Sequence, residues 1–144
     1  MSGFDLDVGL QGHDQALREL SQLERRLQTR AVRAGLVEFV RPIKSAAQAM
    51  APKDSGDLAR AVGHRSLPNR LKGRLGIAAQ TVALLVGPNR KVKGRWQGRK
   101  GLWQEHGTER MEASPFMGPA LEQGRAGGEQ RFYKGLSQSL ERMR

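Results

Sequence analysis

One segment decides the fold, and it reads Trp103-Gln-Glu-His-Gly-Thr-Glu-Arg-Met-Glu-Ala-Ser-Pro-Phe-Met-Gly-Pro-Ala-Leu121. An aromatic residue and a glutamate lead into Gly107, and glycine permits positive φ or a close backbone approach that a β-carbon forbids. Phe116 follows as an aromatic anchor, and a helix start is expected nearby, with Pro115 or Pro119 in its first position. The segment therefore predicts a strand or short helix, a tight glycine turn, a core aromatic residue and then a helix.

A second motif lies upstream and reads Ala51-Pro-Lys-Asp-Ser-Gly-Asp-Leu58. The side chain of Asp54 can cap backbone amides, and Gly56 can take positive φ. We expect the chain to turn sharply here, from a long helix that ends near Pro52 into a sheet.

Together the two motifs resemble the signature of the gene-product-ten-like family of long-tailed bacteriophages, which are tail-completion or neck proteins. The family pattern is a helix ending in Ala-x-Pro-x-Asp-(Thr/Ser)-Gly-x-Leu, then strands, then Glu-(His/Phe/Tyr)-Gly-Thr, a Met, and Pro-Phe followed by a helix. The chain departs from it at His106, where the family often has an aromatic residue, and in a long basic insertion over 89–101. The residues that carry the motifs are Pro52, Asp54, Gly56, Leu58, Trp103, Glu105, Gly107, Thr108, Pro115 and Phe116.

The resemblance implies a structural virion protein without enzymatic activity, cofactor or metal. Such a subunit forms a closed ring, with six-fold symmetry favoured over twelve-fold, and joins the head connector to the tail terminator. DNA passes through the lumen of the ring. The implied location is the neck of the virion, assembled in the host cytoplasm.

Length and composition predict one domain spanning 1–144 with a small core. The chain has 144 residues, 38% of them hydrophobic, and a mean hydropathy of -0.60, which suits a subunit that completes its burial against neighbours. It has no cysteine, which excludes disulfides, thiolate metal sites and a cysteine nucleophile. No apolar run approaches the roughly 20 residues of a membrane span, and the N-terminus lacks signal-peptide features. We therefore expect a protein used in the cytosol or in a particle assembled there, without a membrane partner.

The formal net charge of +11 comes entirely from the middle of the chain. The span from Leu58 to Gln104 holds 11 basic residues and no acidic ones, which leaves 14 of the 25 basic residues to balance the 14 acidic ones. Such a block usually faces phosphate or an acidic partner surface. The alternative is a solvated face that keeps the protein soluble.

The most basic stretch, 89–101, predicts an extended, mobile loop, because it is too polar and too rich in glycine to bury itself. Trp96 in this loop is interpreted as a partner anchor, since aromatic and arginine side chains dominate interface hot spots. We expect the loop to dock on the acidic face of an adjoining ring, with DNA in the lumen as the less favoured partner. The predicted contact residues are Arg90, Lys91, Lys93, Arg95, Trp96, Arg99 and Lys100.

Hydrophobic periodicity predicts an α+β fold in which an N-terminal strand and long helices pack on a small antiparallel sheet, with a C-terminal helix. Residues 4–10 alternate as a half-buried strand, and helical stripes run from 17 to 50 with Pro42 as a kink or a break. Residues 71–77 and 81–86 are expected to be paired strands with a turn at 79–80. The last part predicts one helix weakened at its paired glycines.

No set of residues points to catalysis. The histidines lie far apart in sequence, without the spacing of a metal site. Glu105 and His106 would point to opposite faces of a strand. The glycines of the basic loop lack the strand-to-helix context of a phosphate cradle. Trp103 and Phe116 are expected to be core anchors, with contact to a neighbouring subunit as the alternative.

The second functional hypothesis is a small basic nucleic-acid-binding protein, suggested by a pI near 11.2. The aromatic content of 5% argues against a stacking platform for single strands. The sequence contains no helix-turn-helix or zinc-finger pattern.

Overall fold

The computed structural model describes residues 14–52 and 56–143. This part of the chain is α+β, with a small antiparallel sheet and a C-terminal helix, as predicted. The strand predicted over 4–10 and the capping residue Asp54 lie outside the described residues. In chain order the elements are α1 (Asp14–Gln22), α2 (Arg25–Met50), α3 (Asp57–Ala61), β1 (Val62–Ser66), α4 (Asn69–Arg74), β2 (Leu84–Pro88), β3 (Lys91–Val92), β4 (Arg95–Trp96), α5 (Gly98–His106), α6 (Met117–Gly124) and α7 (Gly128–Arg142).

Helix α2 continues through Pro42 rather than splitting there. Because proline has no backbone N–H, the carbonyl of Glu38 loses its helical donor. The guanidinium of Arg131 in α7 donates to this carbonyl at 3.3 Å and to the next one, Phe39, at 3.1 Å. It also donates to the carbonyl of Gly124 at 2.8 Å. One side chain therefore ties α2, α6 and α7 together where the proline interrupts the hydrogen bonds of α2.

Glycines let α6 and α7 approach α2 closely. A β-carbon on Gly35 would stand 2.7 Å from the ring of Phe132, and one on Gly124 would stand 2.7 Å from the backbone of Ile43. The prediction of a single C-terminal helix is wrong, because Gly127 adopts a left-handed conformation with φ of 71° and separates α6 from α7. These glycines allow close packing and a turn, rather than merely weakening one helix.

The sheet pairs β1 with β2 in antiparallel register, from Val62 opposite Pro88 to Ser66 opposite Leu84. The strand predicted over 71–77 is wrong, because most of that segment belongs to α4, which starts directly after Pro68. The alternation of apolar and basic residues suggested a strand with its basic side chains in solvent. Lys72 of α4 is instead buried, and its ammonium donates to the carbonyl of Ala79 at 3.1 Å. The second predicted strand is displaced from 81–86 to Leu84–Pro88. The turn at 79–80 is present, but it leads from α4 into β2.

Two hydrophobic clusters lie at opposite ends of α2. Where α2 begins, it packs with α1 and α7 around the buried side chains Ala31, Phe132, Tyr133, Leu136 and Leu140. Where α2 ends, it packs with α3, β1 and the start of α6 around the buried side chains Ala46, Ala47, Ala51, Leu58, Val62, Phe116 and Ala120. The second cluster holds the helix start of segment 103–121 against the rest of the chain.

Gly124→Ala should destabilise the protein by about 1–3 kcal/mol, because the added methyl group meets backbone atoms of Ile43 that cannot rotate away. Gly73→Ala in α4 is the matched control, since no atom lies within 4 Å of the place that its β-carbon would take. The control should be neutral or stabilising by up to about 1 kcal/mol. Urea unfolding of both variants measures the difference, and equal free energies of unfolding would contradict the close-packing argument.

Candidate functional site

The first part of segment 103–121 is the end of a helix, which confirms the short-helix alternative of the prediction. Glu105 and His106 therefore do not lie in a strand, and the argument that placed them on its opposite faces is wrong. Helix α5 ends at His106, and the chain turns at Gly107 with φ of 77° and ψ of 175°. A β-carbon on Gly107 would stand 2.8 Å from the Ala113 nitrogen and 2.9 Å from the Met111 carbonyl oxygen. The prediction that this turn needs glycine is therefore confirmed. Thr108 lies in the same turn, where its backbone bridges to that of Met111.

The carboxylate of Glu105 holds the start of α6. Its oxygens accept hydrogen bonds from the backbone N–H groups of Phe116 and Met117, both at 2.9 Å, and of Gly118 at 3.0 Å. These are N–H groups that a helix cannot satisfy internally. Partial burial acts to raise the pKa of Glu105, but the three N–H groups and the nearby His106 outweigh it and hold that pKa below its ordinary value. Glu105 thus joins α5 to α6 across the glycine turn.

Neither proline of the segment takes the first helical position. Helix α6 begins at Met117, with Phe116 as the residue before it, so Pro115 lies outside and Pro119 lies in the first turn. The predicted position is wrong because the carboxylate of Glu105 sets where the helix starts, and it does so from a distant point in the sequence.

The two aromatic residues of the segment have different environments. Phe116 is fully buried beside Leu58, as expected of a core anchor. Trp103 is 46% exposed, so the expectation that it is a core residue is wrong. Contact of Trp103 with a neighbouring subunit stays a prediction.

The upstream motif is described only in part. Gly56 has φ of 75° and precedes α3, which confirms the predicted positive φ. Leu58 is buried and belongs to the core cluster at the end of α2. Pro52 is half-buried and follows that helix. Asp54 lies outside the described residues.

The prediction of an extended loop over 89–101 is wrong in its local structure. Strands β3 and β4 form an antiparallel hairpin that turns at Lys93 and Gly94, both with positive φ, and α5 begins at Gly98. The stabilising contacts come partly from outside the stretch, which composition alone does not reveal: Lys93 pairs with Asp57 at 3.7 Å. Within the hairpin, the ammonium of Lys91 lies 5.2 Å from the ring centre of Trp96. We call β3, β4 and the first turn of α5 the basic hairpin.

A groove of about 760 Å³ lies between β2 and α5. Its lining combines apolar side chains with the cations Arg65 and Arg99. Two large apolar side chains of the lining are exposed, Trp96 at 59% and Leu102 at 58%. Together with the adjacent Trp103, we call this region the α5 surface. Leu102 was not singled out from the sequence, because its exposure depends on how α5 is oriented against β2.

The predicted contact residues are only partly brought together. Trp96 and Arg99 line the groove, whereas Lys91, Lys93 and Arg95 lie on the hairpin and Lys100 lies in the first turn of α5. Arg90 is separated from them, because its side chain lies over Gly63 of β1.

Comparison with known proteins identifies no relative of this chain. No protein-family model matches the chain, and neither a curated protein nor a solved structure matches it. Within residues 14–52 and 56–143, no helix has the length and apolar character to cross a membrane. The same residues contain no cluster of three or more histidine or acidic side chains able to hold a metal ion.

Glu105→Gln should destabilise the protein by about 0.5–2 kcal/mol at neutral pH, the range measured for removal of helix caps. Because the folded-state pKa of Glu105 is lowered, its carboxylate contributes stability that is present above about pH 4.5, the ordinary pKa of the group. That contribution disappears as pH falls through the lowered pKa. Unfolding curves should therefore differ between wild type and variant at pH 7 and converge in acid.

The matched control is Glu109→Gln, which removes an exposed carboxylate from the same segment. It should leave the free energy of unfolding within about 0.5 kcal/mol of the wild-type value. If Glu105→Gln behaved like this control at neutral pH, the capping role of Glu105 would be wrong.

Proposed function

We propose that this chain is a structural subunit of a bacteriophage neck, which self-associates into a ring and joins the head connector to the tail. The proposal starts from the motif resemblance over 51–58 and 103–121. The observation that carries it further is the α5 surface, where Trp96 and Leu102 are exposed just before segment 103–121 and Trp103 is exposed at its start.

The α5 surface has the character of an interface. Trp96, Leu102 and Trp103 expose aromatic and aliphatic area beside a groove, and such residues dominate binding energy in protein interfaces. Exposed apolar patches of this kind mark interaction sites in soluble proteins. The hydrogen bonds that Glu105 accepts from the start of α6 hold α5 against the buried core, so the surface is presented on a fixed element.

A second copy of this chain is the occupant that we favour for the groove. The groove carries Arg65 and Arg99, and no acidic residue lies between Leu58 and Gln104. Glu105 also lines the groove, but its carboxylate already accepts hydrogen bonds from the start of α6. All 14 acidic residues lie outside the basic span, so a neighbouring copy can offer a carboxylate to Arg65, which leaves Arg99 to the basic hairpin. A head-to-tail contact between two such different faces closes into a ring when the rotation permits.

The basic hairpin suits contact with an adjoining ring better than contact between subunits of the same ring. Arg95 is exposed on its second strand and Arg99 at the start of α5. We propose that these cations contact an acidic face of an adjoining ring, where charge complementarity fixes orientation and accelerates association.

Replacing Leu102 and Trp103 together with serine should abolish self-association while the monomer stays folded, because both side chains are exposed in the single chain. Sedimentation velocity should show a ring for wild type and a monomer for the variant, with unchanged circular dichroism. Leu75→Ser is the matched control, since Leu75 is 67% exposed but lies in the turn after α4. A wild-type protein that stays monomeric at high concentration would contradict the ring, and a serine variant that still assembles would exclude the α5 surface.

Replacing Arg95 and Arg99 with glutamine should reduce the fraction of heads joined to tails, because the acidic partner face then loses its counter-charges. Rings should still form. The control variant replaces Arg70 and Arg74 of α4 with glutamine, which removes the same charge from another exposed site. Electron microscopy counts joined particles, and equal counts for the two variants would leave the basic hairpin as a feature that serves solubility.

A further inference from the structure

We propose that a row of basic side chains along α2 and β1 binds the phosphodiester backbone of duplex DNA. We call this row the α2 strip, and its residues are Arg25, Arg33, Lys44, His64 and Arg90. The inference goes beyond the ring, because the strip is complete within one chain and its residues are not among those that line the groove between β2 and α5.

Contacts between α2 and β1 assemble the strip. The Arg33 Nε donates to the Ser66 hydroxyl at 3.1 Å, and the Lys44 Nζ lies 2.7 Å from the His64 Nδ1. His64 and Ser66 stand two positions apart in β1, so they share one face of the strand. The guanidinium of Arg90, which follows β2, lies over Gly63, where a β-carbon would collide with it. Because neighbouring residues of a strand face opposite ways, Arg90 lies across β1 from the His64 ring, but its charge still acts on Lys44 and His64. Three separate parts of the sequence therefore bring positive charge to this region.

The strip continues past Arg33 into an open groove of about 550 Å³. Its lining includes Arg25 and Arg33 together with neutral hydrogen-bonding side chains, among them Thr29, Ser66 and Asn69. Hydroxyl and amide groups of this kind contact phosphate oxygens in protein–DNA complexes. From Arg25 to Lys44 the helix advances about 28 Å at 1.5 Å per residue. A strip of that length follows a DNA backbone rather than a single phosphate.

Among the residues that the structure describes, no carboxylate forms an ion pair with Arg33, Lys44 or Arg90. At the margin, Arg41 is paired with Glu38 at 2.8 Å. A bound polyanion would relieve the repulsion between these cations.

The pKa values of Lys44 and His64 are both lowered, partly because other positive charges lie nearby. Burial and then the charges of Arg90 and Arg41 lower the pKa of Lys44. Burial and then the charges of Lys44, Arg33, Arg90 and Arg41 lower the pKa of His64. Phosphate bound beside them would favour the charged forms of both groups.

Duplex DNA fits the strip better than an acidic protein or a single strand. None of the large exposed hydrophobic side chains of the described chain belongs to the strip, whereas protein interfaces are anchored by such side chains. The strip also contains no tryptophan, tyrosine or phenylalanine on which unpaired bases could stack. Cations and neutral donors in a row suit the regular phosphates of a duplex.

The test measures binding of a fluorescent duplex of random sequence to full-length protein as salt rises from about 50 mM to about 200 mM. Replacing Arg33 and Lys44 with glutamine should weaken binding at least about tenfold and reduce the salt slope by about two, one for each phosphate that is no longer neutralised. The control replaces Arg95 and Arg99 of the basic hairpin, which removes the same charge. The salt slope of this control should differ from the wild-type slope by no more than about 0.5.

Measuring DNA affinity at several pH values tests whether His64 lies close to the bound DNA. Because bound phosphate raises the lowered pKa of His64, binding takes up a proton, and affinity should rise as pH falls from about 7.5 to about 5.5. The charges of four cations act on this imidazole: Arg33, Arg41 and Lys44 from α2, and Arg90 from beyond β2. The rise should be smaller in His64→Gln and unchanged in the control His106→Gln.

Equal losses of affinity in the strip and hairpin variants would overturn the proposal, because DNA affinity would then depend only on the net charge of the protein. Absence of salt-dependent binding by the wild type would also overturn it. A strip variant that binds DNA normally but fails in head–tail joining would assign the strip to an acidic protein instead. Sedimentation of the same variants separates these outcomes from failure of the ring, since strip variants should assemble as wild type does.

Discussion

The close approach of α2 to α6 and α7 is the constraint on which the rest of the structure depends. At Gly35 and Gly124 no β-carbon fits between the helices. The same region contains Pro42, which leaves a carbonyl of α2 without its helical donor, and Arg131 of α7 supplies hydrogen bonds there. Helix α2 thus remains continuous through Pro42, and a side chain from α7 supplies hydrogen bonds where the proline cannot. We refer to this joined set of helices as the support. The sheet and the two hydrophobic clusters are arranged around that support.

Glu105 extends this support to the proposed assembly surface. Its carboxylate binds the start of α6, and Phe116 at the same place is buried in the core cluster. Helix α5 is therefore fixed to the core although much of its own surface is exposed. The arrangement explains how a chain with a small core can present Leu102 and Trp103 outward on an ordered element. In our proposal, neighbouring subunits cover these side chains, and the α2 strip on another face is left to contact DNA.

The sequence predicted features that depend on local chemistry and missed those that depend on distant contacts. Gly56 and Gly107 have the positive φ expected of their turns, and Phe116 is buried, because the requirement for each is encoded near that residue. Segment 71–77 was predicted as a strand, since alternation of apolar residues does not reveal that Lys72 folds inward in a helix. The same limit applies to the candidate sites: the α2 strip joins residues from three separate parts of the chain, and the order of the basic hairpin depends partly on Asp57.

Hydrogen–deuterium exchange of the wild-type protein, compared between dilute and concentrated solution, tests the central claim most directly. If neighbouring copies cover the α5 surface, amides over 96–103 should become protected as concentration rises, while exposed amides of α4 keep their exchange rates. Protection should appear together with the increase in mass that light scattering detects. Assembly that protects other faces and leaves 96–103 unchanged, or no assembly at any concentration, would contradict the account.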